Sequence, residues 1–138
     1  MLFLSSFCFS QKTEQDLVKE TVEKLFMGMK NADAAMIKST FTETVIMQTI
    51  TKDGIVKSEN TQNFMSSISN LPKGDADERI TFEAIHIDEN LASVFTPYEF
   101  YYKGKFSHCG ANSFQLIKQN NVWKIQYLID TRRKYCKK

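Results

Sequence analysis

Three dipeptides, Glu89-Asn90, Lys103-Gly104 and Asn120-Asn121, constrain this chain more than any other feature of its sequence. Read as two-residue hairpin turns, they divide the second half into four strands, 79–88, 91–102, 105–119 and 122–130, laid side by side as an antiparallel meander. Such turns also set which residues face each other, and side chains alternate faces along each strand. One face then gathers Ile80, Phe82, Ala84, Phe95, Pro97, Tyr101, Phe106, Phe114, Leu116, Trp123, Ile125, Tyr127 and Ile129. The opposite face is mostly polar, with Thr81, Glu83, Thr96, Ser107, Ser113, Gln115, Lys124, Gln126 and Asp130. Turns that agree on a single apolar face predict a sheet packed on one side and wet on the other.

Four polar residues interrupt the apolar face: His86, Glu99, His108 and Asn112. In this register Glu99 stands directly opposite His108, where facing Cβ atoms approach to about 5 Å. An unpaired charge in an apolar wall is costly, so the two must pair, meet water or line a cavity. Gly110 adds no side chain to the same face and leaves room beside them. The strand therefore reads as the polar floor of a pocket. His108 and Glu99 are the candidate acid–base pair, and Phe95, Tyr101, Asn112, Phe114, Trp123 and Tyr127 the candidate ligand-binding residues. Each has a plainer reading: a structural His–Glu hydrogen bond, an Asn112 satisfied by backbone or water, aromatics that are simply core, and a His86 at a solvated rim.

The first half reads as helices around one strand. Thr13 opens a capping box with Asp16, and Leu17, Val18, Val22, Leu25, Phe26 and Met29 follow on one helical stripe to about Lys30. Asp33 is the expected N-cap of a short second helix reaching about Phe41. The β-branched run over 43–51 predicts a first strand, Lys52-Asp53-Gly54 a turn, and 58–70 a third helix with Phe64, Met65 and Ile68 inward. The loop 71–78 separates this half from the strands. The predicted class is α+β: a curved, mostly antiparallel sheet, made of the C-terminal meander and an N-terminal strand, packed on about three helices.

A chain of 138 residues is one domain, and a net charge of +2 is too weak to suggest nucleic acid. The basic tail 132–138 reads as a solvated end. Residues 1–10 are uncharged and rich in Phe and Leu, like the apolar core and cleavage site of a secretory signal, although the basic start of such signals is missing. The expected division is a signal-like segment over 1–10 and a single domain over 11–138, with export to the periplasm or beyond. No other run approaches the ~20 apolar residues of a membrane span. Export would remove Cys8 and leave Cys109 and Cys136 in an oxidising compartment. Simple ladder pairing puts Cys109 near Arg132, on the order of 13 Å along a strand from Cys136. A bridge needs Cα atoms within about 7 Å, so it requires the tail to fold back. With no CxxC and two histidines, no metal and no cofactor are expected.

The stretches LFMGMKNADAAMIKSTF, ASVFTPYEFYYKGKFSHCGANSFQLIK and WKIQYLIDTRRK resemble the opening helix pair, central hairpin and last strand of the nuclear transport factor 2-like superfamily, in its SnoaL-like and lumazine-binding branches. The resemblance spans roughly residues 14–136. It implies a cone-shaped sheet, a pocket between the concave face and the first helix, and a homodimer through the sheet's outer side. Enzymes of the superfamily place carboxylates or a His–Asp pair in that cone, where Glu99 and His108 would be the counterparts here. Three readings follow: a domain binding a small apolar or heteroaromatic ligand, a cofactor-free isomerase, cyclase or dehydratase using His108 and Glu99, and a protein interaction module.

Overall fold

The computed structural model describes residues 10–136; the signal-like segment, apart from Ser10, and Cys8 lie outside them. Helix α1 (Glu14–Lys30) begins where Thr13 Oγ1 accepts from the Asp16 amide and the Asp16 carboxylate accepts from the Thr13 amide, each at 3.1 Å. These bonds occupy donors that a helix start leaves open. Its stripe of Val18, Val22, Leu25, Phe26 and Met29 is buried. Helix α2 (Ala34–Thr40) is capped by Asp33, which accepts from the Met36 amide. The two helices meet at Gly28, where a Cβ would stand 2.9 Å from Ile37 Cγ1.

Strand β1 (Phe41–Ile50) begins two residues before the expected 43. After the turn at Gly54, with φ +79°, the chain returns along β1 as a short strand β2 (Val56–Glu59), whose last two residues were expected to open the third helix. Helix α3 (Thr61–Ser69) starts only after Asn60, whose side chain accepts from the Asn63 amide. The hydrogen-bonding edge of β1 takes up residues that local preference alone would assign to the helix.

All three hairpin turns lie where the dipeptides place them, closing Asp88 on Leu91, Tyr102 on Lys105 and Gln119 on Val122. Glu89, Lys103, Asn120 and Asn121 carry the positive φ values, 48° to 62°, that tight hairpins demand. The strands are β5 (Leu91–Tyr102), β6 (Lys105–Gln119) and β7 (Val122–Thr131). The expected strand 79–88 is instead two, β3 (Ala76–Ile80) and β4 (Ala84–Asp88), both on the same edge of β5. The break falls opposite Pro97, whose carbonyl accepts from the Thr81 amide but whose ring has no N–H to return. The sheet runs β2-β1-β7-β6-β5-β3, antiparallel except for β1 beside β7.

Two bulges then overturn the facing that the turns imply. Between β5 and β6 the pairing passes from Tyr101–Phe106 to Phe100–His108, leaving Ser107 extra. Between β6 and β7 it passes from Leu116–Ile125 to Gln115–Tyr127, leaving Gln126 extra. One inserted residue moves every later side chain to the other face of its pairing. The packed face of β5 is therefore Ala92, Val94, Thr96, Tyr98 and Phe100, while Phe95, Glu99 and Tyr101 turn outward with Phe106. On β7, Trp123 and Ile125 stay inside, but beyond the bulge Leu128 and Asp130 point in and Tyr127 and Ile129 out. The core joins the α1 stripe and Ile37 to Val94, Phe114, Leu116, Trp123 and Ile125, with Phe26 edge-on to Phe114 at 6.1 Å between ring centroids.

Candidate functional site

The last turns of α1 and the far end of β7 border a cavity over the sheet. Leu25, Phe26 and Met29 from α1, Met47 from β1, Phe64 from α3 and Leu128 from β7 form apolar walls. Glu59, Glu78, Asn112, Asp130 and Arg132 form the polar end. The cavity has a volume of about 80 Å³. That is below the roughly 300–1,000 Å³ of ordinary small-ligand clefts, but the lining has their usual mixture of greasy wall and few polar groups.

The polar end is built by register. Asn112 pairs with Asp130, and Thr96 with Asn112, so three strands bring these side chains onto one inner row. Asn112 is buried and donates through Nδ2 to Thr96 Oγ1 at 3.3 Å. The Tyr98 hydroxyl lies 2.7 Å from the Thr131 carbonyl and 3.1 Å from Asp130 Oδ2. Gly110 permits this reach: a Cβ there would sit 1.9 Å from the Thr131 carbonyl oxygen and 3.0 Å from the Tyr98 hydroxyl. The space that the absent side chain leaves is thus filled by strand β7 and the phenol. Arg132 donates from Nε to Asp130 at 3.1 Å and reaches Glu59 from Nη2 at 3.5 Å.

Glu78, on β3 opposite Phe100, has no hydrogen-bond or ion-pair partner among the described residues. Burial pushes its carboxyl up to about 8, with the negative charge of Asp130 adding to the rise and Arg132 opposing it. This favours the protonated carboxylic acid near neutral pH, a form able to donate as well as accept. Burial, then the charge of Asp130, also pushes the Tyr98 phenol up. Among the described residues no group of three or more His, Cys, Asp or Glu side chains is placed to hold a metal ion.

The expected His108–Glu99 pair is not formed. The bulge at Ser107 sets Glu99 against Cys109 and His108 against Phe100, so the two side chains leave the sheet on opposite faces. Outside, Glu99 accepts from the Tyr101 hydroxyl at 3.0 Å, and the Arg79 guanidinium stacks 3.8 Å over the Tyr101 ring. Inside, His108 packs between Phe100 and the edge of Tyr98, and its Nδ1 lies 3.0 Å from Ser107 Oγ. Burial, then the nearby Arg132, pulls its imidazole below the usual range, favouring the neutral ring.

Of the expected ligand residues, Asn112 alone lines this cavity. Phe114 is fully buried core, Phe95 is an exposed outer residue, and Tyr127 donates to Gln48 Oε1 at 2.7 Å beyond the second bulge. Trp123 lies at the other end of α1, where its indole donates to Glu14 Oε2 at 2.8 Å beside Lys118. Conversely, Asp130, assigned outward by simple alternation, points in. Glu78 was missed because residues 71–78 read as a loop. Its signal was present: Ala76, Glu78, Ile80 and Phe82 alternate as an inward row with one carboxyl in it.

Cys109 and Cys136 are joined by a disulfide, with Cα atoms 6.0 Å apart. Past β7 the chain bridges Cys109 to Arg133, one residue beyond the simple register, and bends at Lys134 and Tyr135 to bring Cys136 back. The tail is held on the outer face, directly behind Gly110 and the polar end of the cavity.

A curved sheet folded over a long helix, with a cavity at the open end of that helix, defines the nuclear transport factor 2-like class. Solved structures similar to this one include an NTF2-like protein of unknown function from Shewanella baltica, with TM-score 0.71, 17% identity, and coverage of 91% of this chain and 100% of that one. An NTF2-like protein from Cytophaga hutchinsonii has TM-score 0.67 and 14% identity over 88% of this chain and 100% of that one. A domain of unknown function with a cystatin-like fold from Nostoc punctiforme has TM-score 0.68 and 12% identity over 91% and 81% of the two chains. At these identities the likeness is one of fold. The chain belongs to the family described as "Putative lumazine-binding", whose profile matches residues 13–126. A comparison with curated proteins finds no match.

Proposed function

We propose that this protein binds a small, largely apolar or heteroaromatic molecule in the cavity beneath α1. The observation that carries this reading is the division of one cavity into an apolar mouth, Leu25, Phe26, Met29, Phe64 and Leu128, and a polar end at Glu78, Asn112 and Asp130. A planar ring would be buried by the first set and oriented by hydrogen bonds from the second. The description of the family makes lumazine the first probe. The expected result is a saturable change in lumazine fluorescence with wild-type protein and at least a tenfold weaker response in Met29→Trp, which fills the cavity, at unchanged circular dichroism. No saturation in the wild type by lumazine or by molecules released from the freshly purified protein, or equal binding by Met29→Trp, would overturn it.

Two further proposals accompany this one. Export is supported by the Cys109–Cys136 disulfide, since such bonds persist in oxidising compartments. Two free thiols on alkylation of protein taken directly from its host would contradict it. Self-association through the outer sheet face is supported by exposed Ile46 and Phe95 on that side.

A further inference from the structure

Glu78 and its surroundings narrow the chemistry of a ligand in this cavity. Among the described residues the cavity is lined by three carboxyl groups, Glu59, Glu78 and Asp130, and a single cation, Arg132. That cation is already divided between Asp130, at 3.1 Å, and Glu59, at 3.5 Å. Lys30, at the end of α1, is drawn away to Asp77 on the opposite face of β3, 3.4 Å from it. The groups facing this end are therefore Asp130 and Arg132 from the end of β7, Tyr98 from β5, the neutral His108 from β6 beside Tyr98 and Phe100, and Glu59 from β2. Helix α1 supplies only Leu25, Phe26 and Met29, and α3 only Phe64. Of these carboxyls Glu78 alone has no partner among the described residues, although it lies in the wall of the cavity.

We propose that the ligand presents to Glu78 a cationic edge with adjacent N–H donors, of the amidinium or protonated aminopyrimidine type, and that its binding expels the proton of Glu78 to solvent. This inference rests on the cavity being the ligand site. An amidinium offers two parallel N–H groups that match the two oxygens of a carboxylate, and in a low-dielectric wall such a charge-assisted pair is stronger than one between neutral groups. The exchange balances: the neutral acid and the ligand cation give a carboxylate–cation pair and one proton, taken up by buffer. The ring behind the cation fits against the α1 and α3 side chains. The charge of Asp130, which with burial keeps Glu78 protonated when the cavity is empty, favours a cation arriving next to it, and the carboxylate–cation pair then offsets the cost of burying both charges.

Benzamidine and its neutral isostere benzamide test this together with lumazine. Calorimetric titration at pH 7, in two buffers of different ionisation enthalpy, reads both affinity and proton release. The expected result is benzamidine at least tenfold tighter than benzamide, with release approaching one proton per ligand. Glu78→Gln should lose that preference and the proton release while still binding benzamide. Benzamide or lumazine binding as tightly as benzamidine, or a charge preference that survives in Glu78→Gln, would overturn the inference and leave the pocket reading standing. Failure of all three probes to saturate the wild type would overturn this inference, and if molecules released from the purified protein also fail to bind, it would remove the pocket reading as well.

Discussion

Burial of Glu78 carries a cost to the fold that its pH dependence makes readable. Its carboxyl sits at about 8 in the folded chain against an ordinary 4.5, so between those values the folded protein holds a proton that the unfolded chain has lost. Stability contributed by the protonated form is complete below 4.5 and is lost as pH rises toward 8, at roughly 1 kcal/mol per pH unit, then levels off. His108 acts in the opposite sense: with its folded value depressed, its contribution is complete above its ordinary 6.5 and is lost as pH falls. Urea unfolding of wild type and Glu78→Gln across pH 5 to 9 separates the two, because only the Glu78 slope disappears in the variant. Glu78→Gln should gain on the wild type as pH rises; parallel curves would mean that Glu78 ionises normally.

At the scale of elements, the bulges at Ser107 and Gln126 and the tail after β7 assemble the polar end of the cavity. The first bulge puts Tyr98 and Phe100 inside, the second brings in Asp130, and the bend at Lys134 and Tyr135 returns the tail to Cys109. The disulfide closes a separation of 27 residues that contains most of β6 and all of β7. Restricting the unfolded chain over such a loop typically stabilises by about 2–4 kcal/mol. Cys136→Ser should lose stability of that order in urea unfolding, and added dithiothreitol should lower the wild type to the same value without affecting the variant. A reduced wild type as stable as the oxidised one would show that the tail contributes nothing.

For the whole molecule, the sheet has two unlike faces. The inner one is closed by α1, α2 and α3. The outer one leaves Ile46 at 48% exposure and Phe95 at 40%, and Phe95 with Pro97, Ala111 and Ile129 lines a shallow depression there. If a second copy covers this face, sedimentation of wild type should show a concentration-dependent dimer. Phe95→Glu should then sediment as a monomer with unchanged circular dichroism, and a wild type that stays monomeric at high concentration would end that proposal.

Local chemistry determined much of this protein. Thr13, Asp33 and the stripe from Val18 to Met29 specified α1 and the start of α2, because caps and helical periodicity depend on neighbours within a few residues. The three dipeptides specified every hairpin of the second half, because positive φ is a property of a few residues at a time. The resemblance carried by the flanking segments anticipated the concave sheet over a helix. Tertiary structure alone decided which side of β5 and of the end of β7 is packed. A bulge costs little locally, and its gain comes from setting Val94, Thr96 and Tyr98 against the helices instead of Phe95, Pro97 and Glu99. Neither Ser107 nor Gln126 has a residue type that announces a bulge, yet each reverses a face. Asn112 kept its place because it lies on β6 between the two slips. Glu99 lost its place by a single residue, and Asp130 and Glu78 entered the site only when the strands had closed on α1.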